Sequence, residues 1–291
     1  MDLTNCQICP NACGADRTRR AGLCHARKEP RICRAALHMW EEPIISGSRG
    51  SGTIFFSGCS LSCVFCQNYE ISHQEVGRIY SQEELIDTIK RLEDEGAHTI
   101  NFVNPTHYAH VLCEALERYR PSVPVVYNSG GYDKAETLRG LDGLIDVYLP
   151  DLKYLSPAVA QRYSGRADYP TVACDALDEM FRQVGKIQIR DGILQRGMIV
   201  RHLVLPGQSE EGVRVVDYLG KRYGDEIYIS LMSQYTPHGD SHLYPEINRP
   251  IKAIEYKRVV AAARRAGLSY CFTQDMESSN TAYIPPFELG E

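Results

Sequence analysis

The stretch that most constrains this chain is Cys59-Ser-Leu-Ser-Cys63-Val-Phe-Cys66, three cysteines at spacing x3 and x2, directly after the apolar run Ile54-Phe55-Phe56. Whatever the fold, it must present three thiols on one tight loop at the end of a strand. Three thiolates so placed can hold three irons of a cubic [4Fe–4S] cluster and leave the fourth iron without a protein ligand. An iron left open can bind and activate a small molecule, whereas clusters that only carry electrons use four cysteines. Isolated CxxC pairs are common as ordinary thiols or zinc ligands. The x3–x2 spacing after a strand-like run is much rarer and favours the cluster.

Composition narrows the setting. The 291 residues are 43% hydrophobic and 24% charged, enough apolar material for one large α/β domain or two smaller ones. A net charge of −5 argues against a nucleic-acid partner. No apolar run approaches the ~20 residues that span a bilayer, so no membrane partner is expected. The start, Met1-Asp2-Leu3-Thr4-Asn5-Cys6, lacks a basic region followed by an apolar stretch, which predicts no signal peptide. Eleven cysteines without an export signal read as metal ligands or buried thiols in a reducing compartment, and cytoplasm is the expected location.

Residues 1–50, rich in Cys, Arg and Gly, read as a metal-binding N-terminal extension; 51–291 read as the core domain. Within the core, short β-branched or aromatic runs alternate with amphipathic segments. Strands are expected at Thr53–Ser57, Thr99–Val103, Val125–Asn128, Ile145–Leu149, Ile199–Leu205 and Glu226–Met232, with a last short one at Leu268–Phe272. Ser81-Gln82-Glu83-Glu84 is a capping box that starts a helix carrying Leu85, Ile86, Ile89 and Leu92. Further helices are expected near Tyr108–Tyr119, from Asp133, over Glu211–Leu219 and over Ala253–Ala266. Such alternation implies parallel strands with right-handed crossovers. About six units give a partial (β/α)6 TIM-like barrel, with chemistry at the C-terminal strand ends.

Polar motifs fall at those ends. After the cysteine loop come Asn104-Pro105-Thr106-His107, Asn128-Ser129-Gly130-Gly131, Asp151-Leu152-Lys153 and Arg201-His202. A charged residue inside an apolar strand is unusual, because an unpaired buried charge is costly; Arg201 is therefore a ligand candidate, while His202 should point the other way. Each motif has a plainer alternative. Thr106 can be a helix cap, Gly130-Gly131 a turn, and Asp151 with Lys153 a solvated pair. Ser233-Gln234-Tyr235 is expected to face a substrate. Of His38, Glu41 and Glu42 before the first strand, some can line the barrel mouth, with at least one glutamate solvated.

The cysteine loop resembles the signature of the radical S-adenosylmethionine (SAM) superfamily. Asp151-Leu152-Lys153 resembles the Asp-x-Lys of glycyl radical activating enzymes. The runs His38–Pro43, Gly50–Ser57, Cys66–Ser72, Val103–His107, Tyr148–Tyr154, Arg201–Gly207 and Met232–Tyr235 extend the likeness over nearly the whole chain. They are similar to the iron–sulfur proteins homologous to pyruvate formate-lyase activating enzymes. The resemblance implies a radical SAM partial barrel in which Cys59, Cys63 and Cys66 bind the [4Fe–4S] cluster. It implies SAM held by Lys153 and Arg201, with Asn104, Thr106, Asn128, Ser129 and Asp151 as further contacts and Phe65 near the adenine. The cluster would cleave SAM reductively, giving a 5′-deoxyadenosyl radical that takes a hydrogen atom from a substrate such as a protein or peptide. A flavodoxin- or ferredoxin-type reductant is the implied partner. The chain lacks the Gly-Gly-Glu of many relatives at Asn104, and has Tyr69 where activating enzymes carry a proline. An activase proper and a non-catalytic electron carrier are the alternatives.

A second set, Cys6-x2-Cys9-x3-Cys13-x10-Cys24, is expected to bind zinc or an auxiliary iron–sulfur cluster, with Cys33 beyond it. Cys113, Cys174 and Cys271 read as buried structural thiols.

Overall fold

The computed structural model describes residues 1–274; the end of the expected core domain lies outside the described residues. The strands are β1 (Arg31–His38), β2 (Ser51–Phe56), β3 (Arg78–Ile79), β4 (Ile100–Val103), β5 (Val125–Ser129), β6 (Val147–Pro150), β7 (Gln188–Arg190), β8 (Ile193–Leu203), β9 (Tyr228–Met232) and β10 (Cys271–Thr273). The helices are α1 (Pro43–Ser46), α2 (Tyr69–His73), α3 (Gln82–Asp94), α4 (Ala109–Arg118), α5 (Ala135–Arg139), α6 (Pro157–Ser164), α7 (Tyr169–Val184), α8 (Ser209–Arg222) and α9 (Ala253–Arg265).

The sheet runs β10-β9-β8-β6-β5-β4-β2-β1-β3 and does not close. Every neighbouring pair from β2 to β10 is parallel. This is the partial barrel expected, with β10 as a short seventh parallel strand. Antiparallel β1 and β3 extend one edge, and β7 forms a hairpin with β8.

Residue chemistry explains the layers. Strands β2, β4, β5 and β6 are buried at every residue, as parallel strands covered on both faces must be. One face, with Ile54, Phe56, Phe102, Tyr127, Tyr148, Val200 and Leu231, packs under the helices. The other, with Val126, Val147, Leu149 and Ile199, encloses Ile45 of α1. Ile45 has no exposure, and its carbonyl accepts a hydrogen bond from Thr99 Oγ1 at 3.2 Å, just before β4. Helix α1 thus stoppers the N-terminal end of the barrel. The capping box forms as expected: Ser81 N–H donates to Glu84 Oε2 at 2.8 Å and Glu84 N–H to Ser81 Oγ at 3.2 Å.

Residues 1–30 contain no helix or strand. They seat on the barrel through Thr137 Oγ1 donating to the Ile8 carbonyl at 2.6 Å and Asn11 Nδ2 donating to the Ser60 carbonyl at 2.8 Å. Among the described residues, no helix is long and apolar enough to cross a membrane.

Candidate active site at the C-terminal strand ends

A cavity of about 530 Å³ opens where the parallel strands end. Cys59, Cys63, Cys66, Asn104, Asn128, Ser129, Asp151, Lys153 and Arg201 all line it. Nine sequence candidates scattered between Cys59 and Arg201 thus share one wall. Their order follows from the topology, since β4, β5, β6 and β8 lie side by side and each delivers its last residues to the same rim.

Each thiol of the loop meets a polar partner from elsewhere. Asn104 Nδ2 donates to Cys59 Sγ at 2.9 Å, as does the Leu61 N–H at 3.3 Å. Cys63 Sγ lies 3.0 Å from Ser164 Oγ at the end of α6, and Ser72 Oγ of α2 donates to Cys66 Sγ at 3.3 Å. Burial, with the neighbouring thiols, raises the Cys59 pKa and pushes Cys66 up to about 11. Thiolates, not thiols, are metal ligands, and a bound metal would supply the positive charge that favours the thiolate form here.

Below the thiols lies a chain of buried charges. Lys153 Nζ donates to Asp151 Oδ2 at 2.6 Å, and Arg201 Nε donates to Asp151 Oδ1 at 3.0 Å. Arg201 Nη2 donates to Asn128 Oδ1 at 2.6 Å, and Nη1 lies 3.5 Å from Glu41 Oε2. Burial works against the Asp151 carboxylate, but Lys153 and Arg201 outweigh it and hold its pKa below the usual range. The expectation of a solvated acidic residue before the first strand is overturned: Glu41 and Glu42 both sit on the barrel floor. The Glu41 side chain is 8% exposed, and its Oε1 accepts from Asn101 Nδ2 at 2.9 Å. Glu42 Oε2 is buried without a hydrogen-bond partner among the described residues. They are carried there by the turn into α1, the helix that blocks the barrel, and burial raises both pKa values.

Of the residues expected to hold SAM, Thr106 alone does not line the cavity. It opens a short 3-10 turn (Thr106–Tyr108) rather than capping a helix, and its Oγ1 donates to buried Asp133 Oδ1 at 2.7 Å. Asp133 also accepts from Tyr127 OH at 2.8 Å and Ser129 Oγ at 2.6 Å. Ser129 therefore lines the cavity with its hydroxyl already committed. Gly131, at φ +78°, sits so close to the Asp151 carbonyl that a Cβ would collide with it. Tyr169 OH bridges the Gly130 and Asp151 carbonyls at 3.0 and 2.9 Å and accepts the Lys153 N–H at 3.0 Å. Phe65 lines the cavity against Tyr235, ring centroids 6.0 Å apart. His202 points away, as expected, onto the Leu152 carbonyl at 2.8 Å. Of Ser233-Gln234-Tyr235, only Gln234 faces the cavity, while Tyr235 OH donates to the Ile247 carbonyl at 2.7 Å.

The sequence model of the radical SAM superfamily matches residues 53–219, more than half of the chain and all of the barrel from β2 to α8. The chain belongs to the radical SAM superfamily. A protein of Methanocaldococcus jannaschii described as uncharacterized is 30% identical over 278 residues, which cover 92% of this chain and 77% of that protein. Among solved structures, Streptococcus suis SuiB gives a TM-score of 0.51 at 13% identity, covering 77% of this chain and 48% of SuiB. SuiB bound to S-adenosylmethionine gives 0.50 at 13% identity, covering 75% and 48%. At that identity the likeness is one of fold, and this chain spans about half the length of those structures.

Radical SAM membership implies SAM and a [4Fe–4S] cluster as cofactors. The donor set fits both: three soft thiols on one loop, and within the same cavity two cations and a buried carboxylate oxygen with no partner. Ser164 and Tyr169 have no signal in the sequence, and Ser72 and Asp133 are marked there only as the end of the Cys66 run and the start of a helix. They reach the site only through the packing of α2, the α6–α7 pair and the turn after β5.

Proposed function

We propose that this chain is a radical SAM oxidoreductase, related to pyruvate formate-lyase activating enzymes, that removes a hydrogen atom from a carbon of its substrate. One observation carries the reading: the Cys59, Cys63, Cys66 loop and the Asp151, Lys153, Arg201 charge chain converge on a single cavity. A [4Fe–4S] cluster bound there supplies an electron for reductive cleavage of SAM at a sulfonium carbon–sulfur bond.

The chain's own residues then have distinct tasks. Cys59, Cys63 and Cys66 hold the cluster and leave one corner for SAM. Asn104, Ser72 and Ser164 donate to the sulfurs and set how readily the cluster accepts an electron. Lys153 offers its ammonium to the SAM carboxylate, and Asp151 fixes the direction of that ammonium. Arg201 is locked by Asp151, Asn128 and Glu41, so its guanidinium is held at a fixed angle in the cavity wall. Asn128 and Ser129 shape the wall by backbone position, since their side chains are engaged.

Met39 and Trp40, 49% and 60% exposed, line the same cavity where β1 runs into α1 and give it an apolar rim. An apolar rim of that kind around an open barrel edge suits a protein or peptide segment, and a low-potential flavodoxin or ferredoxin suits the reducing step. The Tyr69 and Asn104 departures weigh against installing a glycyl radical. Anaerobic protein reconstituted with iron and sulfide, then given dithionite and SAM, is expected to yield 5′-deoxyadenosine and methionine. No cleavage, with no change in the cluster spectrum on adding SAM, would instead assign an electron carrier.

A further inference from the structure

The radical SAM reading leaves four thiols and one buried cation without work. Cys6, Cys9 and Cys24 are 5%, 6% and 5% exposed, and Cys13 is half-buried. Backbone turns gather them: Cys6 N–H donates to the Ala15 carbonyl at 3.1 Å and Gly14 N–H to the Cys6 carbonyl at 3.0 Å. A Cβ on Gly22 would stand 3.3 Å from Cys13 Sγ and 3.6 Å from Cys24 Sγ, so these two sulfurs flank that glycine.

Arg17 lies under this knuckle at 1% exposure. Its Nη1 and Nη2 donate to the His107 and Arg27 carbonyls, each at 2.5 Å, and Nη1 is 3.9 Å from Cys6 Sγ. Its Nε is buried without a hydrogen-bond partner among the described residues. Among the described residues, no carboxylate pairs with it. A guanidinium stays charged in any protein, and a buried charge without a counter-ion is expensive. Neutral thiols do not answer that charge; metal-bound thiolates do.

Position bears on which metal. Asn11, between Cys9 and Cys13, donates to the Ser60 carbonyl between Cys59 and Cys63. Gly58, at φ +85°, leaves no room for a Cβ against the Cys24 carbonyl. The two thiol loops are in contact.

We propose that Cys6, Cys9, Cys13 and Cys24 hold a second, fully ligated [4Fe–4S] cluster, with Arg17 as its buried counter-cation. This stands apart from SAM cleavage, and its test does not read activity. Reconstituted full-length protein is expected to hold about eight irons and eight sulfides per chain. The Cys59→Ala, Cys63→Ala, Cys66→Ala variant keeps about half of each and gives a one-electron-reduced cluster signal in electron paramagnetic resonance. Adding Cys6→Ala and Cys9→Ala abolishes that signal. Arg17→Gln shifts the midpoint potential of the remaining cluster downward, because a stabilising positive charge on the reduced form is lost, and Arg17→Lys restores it. One zinc without sulfide in the triple variant, or wild-type protein with only about four irons, overturns the proposal. An unchanged potential in Arg17→Gln overturns the role given to Arg17.

Discussion

Two thiol loops touch at Gly58, yet the protein holds them on opposite terms. The Cys59 loop has three sulfurs, each met by a neutral donor from a different element of the barrel, and it opens onto a cavity. The Cys6 knuckle has four sulfurs, folds its own backbone around them, and sits over a guanidinium that no carboxylate answers among the described residues. The charge balance is also reversed. Among the described residues the knuckle has a cation lacking an anion, while the barrel floor sets Asp151, Glu41 and Glu42 against Lys153 and Arg201. The difference separates a site built to be filled from outside from one built to be sealed.

Cys66→Ala tests that contrast hardest. SAM cleavage is expected to fall to background, while Cys13→Ala leaves it measurable with dithionite as reductant; equal loss in both would mean the two sets serve one site. Next is Lys153→Ala. Removing one partner of a buried charge pair costs about 2–5 kcal/mol, so SAM binding followed by anaerobic calorimetry should weaken roughly thirtyfold or more. Gly58→Ala attacks the seam itself. Positive φ and the Cys24 carbonyl both forbid a Cβ, and a loss of about 1–3 kcal/mol in chemical denaturation is expected, with iron shed from both loops. Ser72→Ala removes one sulfur hydrogen bond for about 1 kcal/mol and should move the potential of the cluster in the Cys59 loop alone.

The smallest effect concerns pH. Burial raises the Glu42 pKa, so the folded chain binds more protons than the unfolded one just above the usual carboxylate range, and stability falls as pH rises through it. Glu42→Gln removes that loss, and its melting temperature should exceed wild type by more at about pH 8 than at about pH 5. His107 has the opposite sign. Burial depresses it to about 3, so its share of stability is lost as pH falls from about 6.5 towards that value.

What the sequence disclosed followed one rule: residues fixed by local period or spacing were readable. The parallel strands β2, β4, β5, β6, β8 and β9 appear as apolar runs because both faces are buried, and α3 announces itself by its capping box. Strand β1 did not, because an edge strand with mostly half-buried residues needs no alternation. Helices α6 and α7 also went unassigned, and Ser164 with them. Within the site, a motif at a strand end was visible, but not which way its side chain turned. Asn104 points to a sulfur and Thr106 to Asp133, although they are two residues apart. That both Glu41 and Glu42 turn inward, rather than one of them, is not legible, because nothing in their own neighbourhood betrays that α1 carries them inside.

That stopper makes the barrel a vessel with a plugged axis. Ile45 is wedged among Val126, Val147 and Ile199 and fills the base with side chain. What enters among Cys59, Lys153 and Arg201 therefore meets packed protein beneath it, with Glu41 and Glu42 as the deepest polar groups within reach.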